Sequence, residues 1–162
     1  MNGKTHTGFT LLELMIVVAI IGIIVAIAAP SFSVMLEKQR IQGAAEAVLA
    51  DLRWARGESI KRNKKVRVTF TTGNNWSYTI DTFPVLSASD GVLPKTVYGS
   101  DFASTSLTTN FTSDATTFES VRGTANGGTA TITTTNFSAG ASVSALGRVR
   151  ICGNLGGYSS CP

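Results

Sequence analysis

The stretch Gly8-Phe9-Thr10-Leu11-Leu12-Glu13, continued as Leu14-Met15-Ile16 and onward to Ala28-Ala29-Pro30, decides how this chain is read. From Phe9 to Ala29 the only strongly polar side chain is Glu13. Those 21 residues make a helix of about 31 Å at ~1.5 Å per residue, close to a ~30 Å hydrocarbon core. Residues 1–8 before it are short and polar and carry Lys4, and no further basic residue follows until Lys38. That bias places the N-terminus on the cytoplasmic side. A secretory signal would end its apolar run at a small-residue cleavage site, and this run continues without one. Glu13 is the anomaly, because a carboxylate inside a lipid-spanning segment is costly and marks a function.

Beyond Pro30 the helical pattern continues. Ile41, Ala45, Val48, Leu52, Ala55 and Ser59 recur at the spacing of one helix face. The spacing predicts one long helix from about Phe9 to Arg62, apolar all round in its first half and amphipathic in its second. Trp54 falls beside the stripe and is read as packing. The domain plan is a leader over 1–8, a membrane-spanning and filament-core helix over 9–36, and a globular domain over 37–162. Within that domain a helix covers 37–62 and a β-region covers 65–162.

Strands follow the helix. Val66, Val68 and Phe70 alternate with polar residues, as do Trp76, Tyr78 and Ile80, and Gly73-Asn74-Asn75 supplies the turn of a hairpin. Residues 82–101 carry Pro84, Gly91, Pro94 and Gly99 and read as a long loop with at most a short strand. Later candidates are Thr116–Val121, Thr129–Thr135 and Ala141–Cys152, parted by Gly123–Gly128 and Ser138–Gly140. Periodic Phe, Ile and Val among many Thr and Ser indicate sheets with one solvated face. The fold class is α+β, a long N-terminal helix packed on antiparallel sheet.

The net charge of +4 is lopsided. Between Ser31 and Arg67 nine Lys or Arg stand against four acids, whereas from Val68 onward four basic residues face five acids. Arg148 and Arg150 form a separate late pair. Such asymmetry points to an anionic partner, whether nucleic acid, lipid headgroups or a filament neighbour. If Gly147-Arg148-Val149-Arg150-Ile151-Cys152 is a strand, Val149 and Ile151 face the core. Arg148 and Arg150 then leave the other face together, roughly 7 Å apart. That is near the spacing of successive backbone phosphates, and the planar guanidinium fork suits phosphate. A solubilising pair that discourages edge-to-edge sheet pairing is the competing reading. Cys152 and Cys161 form a disulfide if this end lies outside the cytoplasm.

Catalytic chemistry has little to work with. The only histidine, His6, precedes the apolar run. A chain shortened at Gly8 contains neither a Ser-His-Asp or Cys-His constellation nor an imidazole metal ligand. Gly127-Gly128 and Gly156-Gly157 lack any phosphate-loop context. No enzyme activity, cofactor or metal is expected.

The run from Gly8 through Pro30 resembles the processing site and anchor of type IV prepilins and pseudopilins. The resemblance implies cleavage by prepilin peptidase between Gly8 and Phe9, N-methylation of Phe9, and assembly with other pilin subunits. Glu13 would then neutralise a neighbouring subunit's terminal ammonium, since unlike charges in a dry bundle cost less paired than apart. The later chain resembles the GspH/FimT group of minor pilins, and Gly147, Arg148, Arg150 and Cys152 match the G-R-x-R-x-C motif of FimT-like members. There the arginines are implicated in DNA binding for natural transformation, with Arg62, Lys64, Lys65 and Arg67 a basic extension outside the motif. GspH-type pseudopilins of type II secretion share the anchor and fold, which leaves a structural role with protein partners only as the alternative. Either way the chain would sit in the inner membrane as a single-pass protein with its C-terminal domain in the periplasm, then enter a filament.

Overall fold

Fifty-two residues, Leu11–Arg62, form one helix, α1. A computed structural model describes residues 9–83 and 94–162. The leader with Gly8, and residues 84–93 of the expected loop, lie outside the described residues. Thr10 Oγ1 accepts the backbone N–H of Glu13 at 3.2 Å, occupying one of the donors a helix start leaves unpaired. Pro30 sits inside the helix and has no N–H to give the carbonyl one turn back. Ser33 Oγ donates to the Pro30 carbonyl at 2.8 Å. The helix ends where Asn63 turns left-handed at φ 51° and Lys64 N–H reaches back to the Ser59 carbonyl. Lys61 and Arg62 occupy the last turn, where cations complement the helix dipole.

The chain divides into two compact units, the first ending at Leu36 and the second spanning Glu37–Pro162. In the first, the apolar side chains stand open on every side of the helix. The helix is long and apolar enough there to cross a membrane.

The second unit has a conventional core. Every member of the expected stripe, Ile41, Ala45, Val48, Leu52, Ala55 and Ser59, is buried. Trp54 is not. It stands 40% exposed, because two residues beyond Leu52 is about 200° around a helix of 3.6 residues per turn. Its indole lies 6.0 Å from Lys95 Nζ instead of in the core.

Eight strands follow among the described residues. They are β1 Lys65–Thr71, β2 Ser77–Phe83, β3 Lys95–Tyr98, β4 Ser106–Thr109, β5 Ala115–Phe118, β6 Gly128–Thr133, β7 Ser138–Val143 and β8 Val149–Gly153. They make two four-stranded sheets, ordered β3-β2-β1-β5 and β4-β6-β7-β8, with every pairing antiparallel. The expected hairpin is β1–β2, with Val68 opposite Ile80. Side chains from the helix and from both sheets join in one buried cluster.

Three expectations need correction. Ala141–Cys152 is two strands, β7 and β8, joined by a turn. Ser138–Gly140 is not a break but the start of β7. Gly140 is there because a Cβ would lie 2.0 Å from the Ala130 carbonyl oxygen on β6. β4 is a further, unexpected strand, a short Ser-Leu-Thr-Thr segment with a single apolar residue and so no visible period. Within 82–101, β2 runs on to Phe83 and β3 supplies a short strand among the described residues.

Buried Arg56 Nε and Thr129 Oγ1 have no hydrogen-bond partner among the described residues, but the polar atoms of the core aromatics do. Trp76 Nε1 donates to Thr105 Oγ1 at 2.9 Å. Tyr78 OH donates to Asp51 Oδ2 at 2.8 Å, and Lys95 Nζ donates to the other oxygen of that carboxylate. Burial first, and the Asp51 carboxylate second, push the Tyr78 phenol well above its ordinary range.

Candidate functional site

The turn between β7 and β8 is built on Gly147, whose φ is +72°. Its N–H donates to the Ser144 carbonyl at 2.7 Å, and Ser144 N–H donates to the Arg148 carbonyl at 3.0 Å. Ser144 Oγ accepts Arg148 N–H at 3.1 Å. A neighbouring loop braces the turn through Ala125 N–H, which donates to the Ala145 carbonyl at 3.1 Å. The backbones approach so closely that a Cβ on Gly147 would sit 1.7 Å from the Gly123 carbonyl oxygen. A side chain here is excluded by space and by the left-handed φ together.

This turn sets the arginines. Arg148 ends the turn and does not belong to the strand, and Arg150 is the second residue of β8. The alternation persists across that boundary: Val149 is buried and both arginines are exposed. They line one recess of about 430 Å³ together with Ser142, Val143, Ser144, Leu146 and Pro162. Neither guanidinium carries an ion pair among the described residues. Ile151 is only partly buried and packs on the core from its margin.

Cys152 and Cys161 are joined in a disulfide with their Cα atoms 4.8 Å apart. Gly153 N–H donates to the Ser159 carbonyl at 2.8 Å, and Asn154 Oδ1 accepts Ser138 N–H at 2.8 Å. These contacts fasten the tail beside β8 and carry Pro162 into the recess. Pro162, Leu146 and the two serines were invisible as site residues in the sequence. Only the closeness of Cys152 to the arginines signalled that the tail returns to them.

The other basic group is placed differently. Arg62 Nε pairs with Glu58 Oε2, Lys65 Nζ pairs with Glu119 Oε1 at 3.0 Å, and Arg67 Nε donates to Thr117 Oγ1 at 3.3 Å. Hydrogen bonding from Arg62 is the main reason the Glu58 carboxyl titrates below its ordinary range. None of Arg62, Lys64, Lys65 and Arg67 lines the recess of Arg148 and Arg150. At the other end of the chain, Phe9 precedes α1 and is 81% exposed, and Glu13 lies in the first helical turn. No group of three or more His, Cys, Asp or Glu able to hold a metal occurs among the described residues.

The profile of the family described as Type II transport protein GspH matches residues 44–157. A prokaryotic N-terminal methylation motif matches residues 3–29. Comparison with curated protein sequences gives no match. Among solved structures, the type IV minor pilin FimU of Pseudomonas aeruginosa (strain PAO1) shares the fold in two crystal forms. The P21 form aligns with a TM-score of 0.55 at 22% identity, over 72% of this chain and 91% of FimU. The P65 form aligns at 0.51 and 22%, over 68% and 90%. The GspH match spans well over half the chain, on a pilin fold with an apolar N-terminal anchor. The chain belongs to the GspH family, as a minor pilin or pseudopilin of a type IV pilus or a type II secretion apparatus.

Proposed function

We propose that this chain is a FimT-like minor pilin that binds the DNA backbone through Arg148 and Arg150 for uptake in natural transformation. The observation that carries the proposal is the pair itself: two exposed arginines flank a buried valine and face one recess, without an ion pair among the described residues to quench them. Contacts of this kind read phosphates and not bases. Arg62, Lys64, Lys65 and Arg67 extend the basic surface only weakly, since Glu58 and Glu119 already engage Arg62 and Lys65. The N-terminal roles belong to the same proposal. Prepilin peptidase cuts between Gly8 and Phe9 and Phe9 is N-methylated, after which Glu13 pairs with a neighbouring subunit's terminal ammonium. The anchor spans the inner membrane with residues 37–162 as the periplasmic domain.

The test uses the full chain in nonionic detergent and duplex DNA across a range of salt concentrations. Each neutralised phosphate adds about −0.9 to the slope of log affinity against log salt. Replacing both arginines by Gln flattens that slope by up to about two units and weakens binding on every sequence alike. A double variant that folds normally and binds as wild type overturns the proposal. The second reading, a GspH-type pseudopilin with protein partners only, then takes its place. The type II transport description of the matching family favours that alternative.

A further inference from the structure

The arginine recess is not uniformly polar. Leu146 stands 75% exposed at its rim, and Val143 and Pro162 add apolar surface to its lining. Leu146 is not on a loose loop, for the turn carrying it is closed by three hydrogen bonds and braced by a fourth from Ala125. Val121, in the loop that contacts Gly147 through Gly123, is 81% exposed as well. The apolar tip of Leu146 lies in one recess with two guanidinium groups that carry no ion pair among the described residues, which gives that surface charged and greasy parts. A recess of about 430 Å³ falls within the ~300–1,000 Å³ of small-ligand sites.

We infer that this recess takes an unstacked nucleotide, so that the chain prefers single strands and frayed ends to closed duplex. The inference rests on the phosphate-binding reading of Arg148 and Arg150 and specifies its substrate. Closed duplex hides its base faces in the stack and offers the protein phosphates and groove edges. A single strand offers phosphate and an uncovered base face together, and unstacked bases lie against aromatic side chains in single-strand sites and against aromatic or apolar ones in pockets for an extruded base. Arg148 and Arg150 hold successive phosphates while the base between them lies against Leu146. The rigid turn lets this contact form with little further ordering.

The experiment compares a twelve-nucleotide oligothymidylate with a hairpin duplex of equal phosphate count, using full chain in nonionic detergent. Wild type binds the single strand more tightly. Leu146→Ser weakens that binding by about three- to tenfold, weakens duplex binding less, and leaves both salt slopes unchanged because no charge is removed. Circular dichroism and melting report the fold, which an exposed leucine does not support. Equal affinity for the two DNA forms, or a Leu146→Ser variant that loses both equally or neither, overturns the inference. The phosphate reading would still stand if Arg148→Gln with Arg150→Gln weakens both forms. If that double variant changes neither form, the phosphate reading itself has failed. Doping the micelles with phosphatidylglycerol tests the other anionic surface with apolar parts. Displacement of oligothymidylate by the lipid, abolished in Leu146→Ser, assigns the recess to lipid headgroups and also overturns the inference.

Discussion

The two halves of α1 are built from similar residues and meet opposite fates. Ile16 and Ile24 are 52% and 60% exposed, whereas Ile41, Val48 and Leu52 are at most 1% exposed. The second half has a stripe, and this chain supplies the sheets that cover it. The first half is apolar on all sides, and its large side chains stand exposed. Apolar composition therefore tells where water is excluded, and periodicity tells whether the excluding partner lies in the same molecule. The first half is the part that a membrane and then neighbouring subunits must cover.

The largest effect that would sharpen this contrast is on stability. Leu52→Ala should cost the folded Glu37–Pro162 unit about 2–5 kcal/mol through lost burial and a cavity. Ile24→Ala should leave the unfolding of that unit unchanged. Denaturant melts of both variants in micelles check the pair, and equal losses would break the comparison.

Glycines test the same distinction between packed and open space. Gly147→Ala should destabilise by about 1–3 kcal/mol from backbone strain alone, and displacement from the Gly123 carbonyl adds to that. Gly156 has nothing within 4 Å of its would-be Cβ, so Gly156→Ala should be close to neutral. Thermal melts decide it, and a Gly147→Ala variant as stable as Gly156→Ala would contradict the close approach.

The smallest expected effect is electrostatic. The carboxyl of Glu58 in the covered half titrates below its ordinary value of 4.5 in the folded state. A depressed carboxyl contributes stability that is fully present above that ordinary value and is lost as pH falls through the folded value. The melting difference between wild type and Glu58→Gln should be present at pH 7 and fade below pH 4.5. A difference that grows on acidification would show the opposite linkage.

Much of the fold was legible because α1 and β1–β2 carry strong periods, and every stripe residue from Ile41 to Ser59 is buried. The second sheet was harder to read. β7 is Ser-Ala-Gly-Ala-Ser-Val, whose small residues fit close strand contact but have little of the bulk that marks strands in sequence. The turn after it looked like continuing strand because its decisive feature, the Gly123–Gly147 approach, joins residues 24 positions apart. The arginines were found from their motif and alternation. The recess around them depends on Pro162 returning from the tail, which only the fold displays. Trp54 was misplaced because adjacency in sequence to a stripe is not adjacency on a helix.

One clasp bears on the order of events during synthesis. Both oxygens of Glu37 accept hydrogen bonds from Asn136, from the backbone N–H at 2.9 Å and from Nδ2 at 2.8 Å. The two residues are 99 positions apart. The helix is made first, and each strand that covers its stripe is made later, starting at Lys65. Until those strands arrive, the stripe from Ile41 to Ser59 has no partner of its own. The clasp must wait still longer, for the link between β6 and β7. Pairings this distant in sequence form slowly. For this chain, lateness is a property of topology: the first residue of the second unit waits for a partner 99 positions downstream.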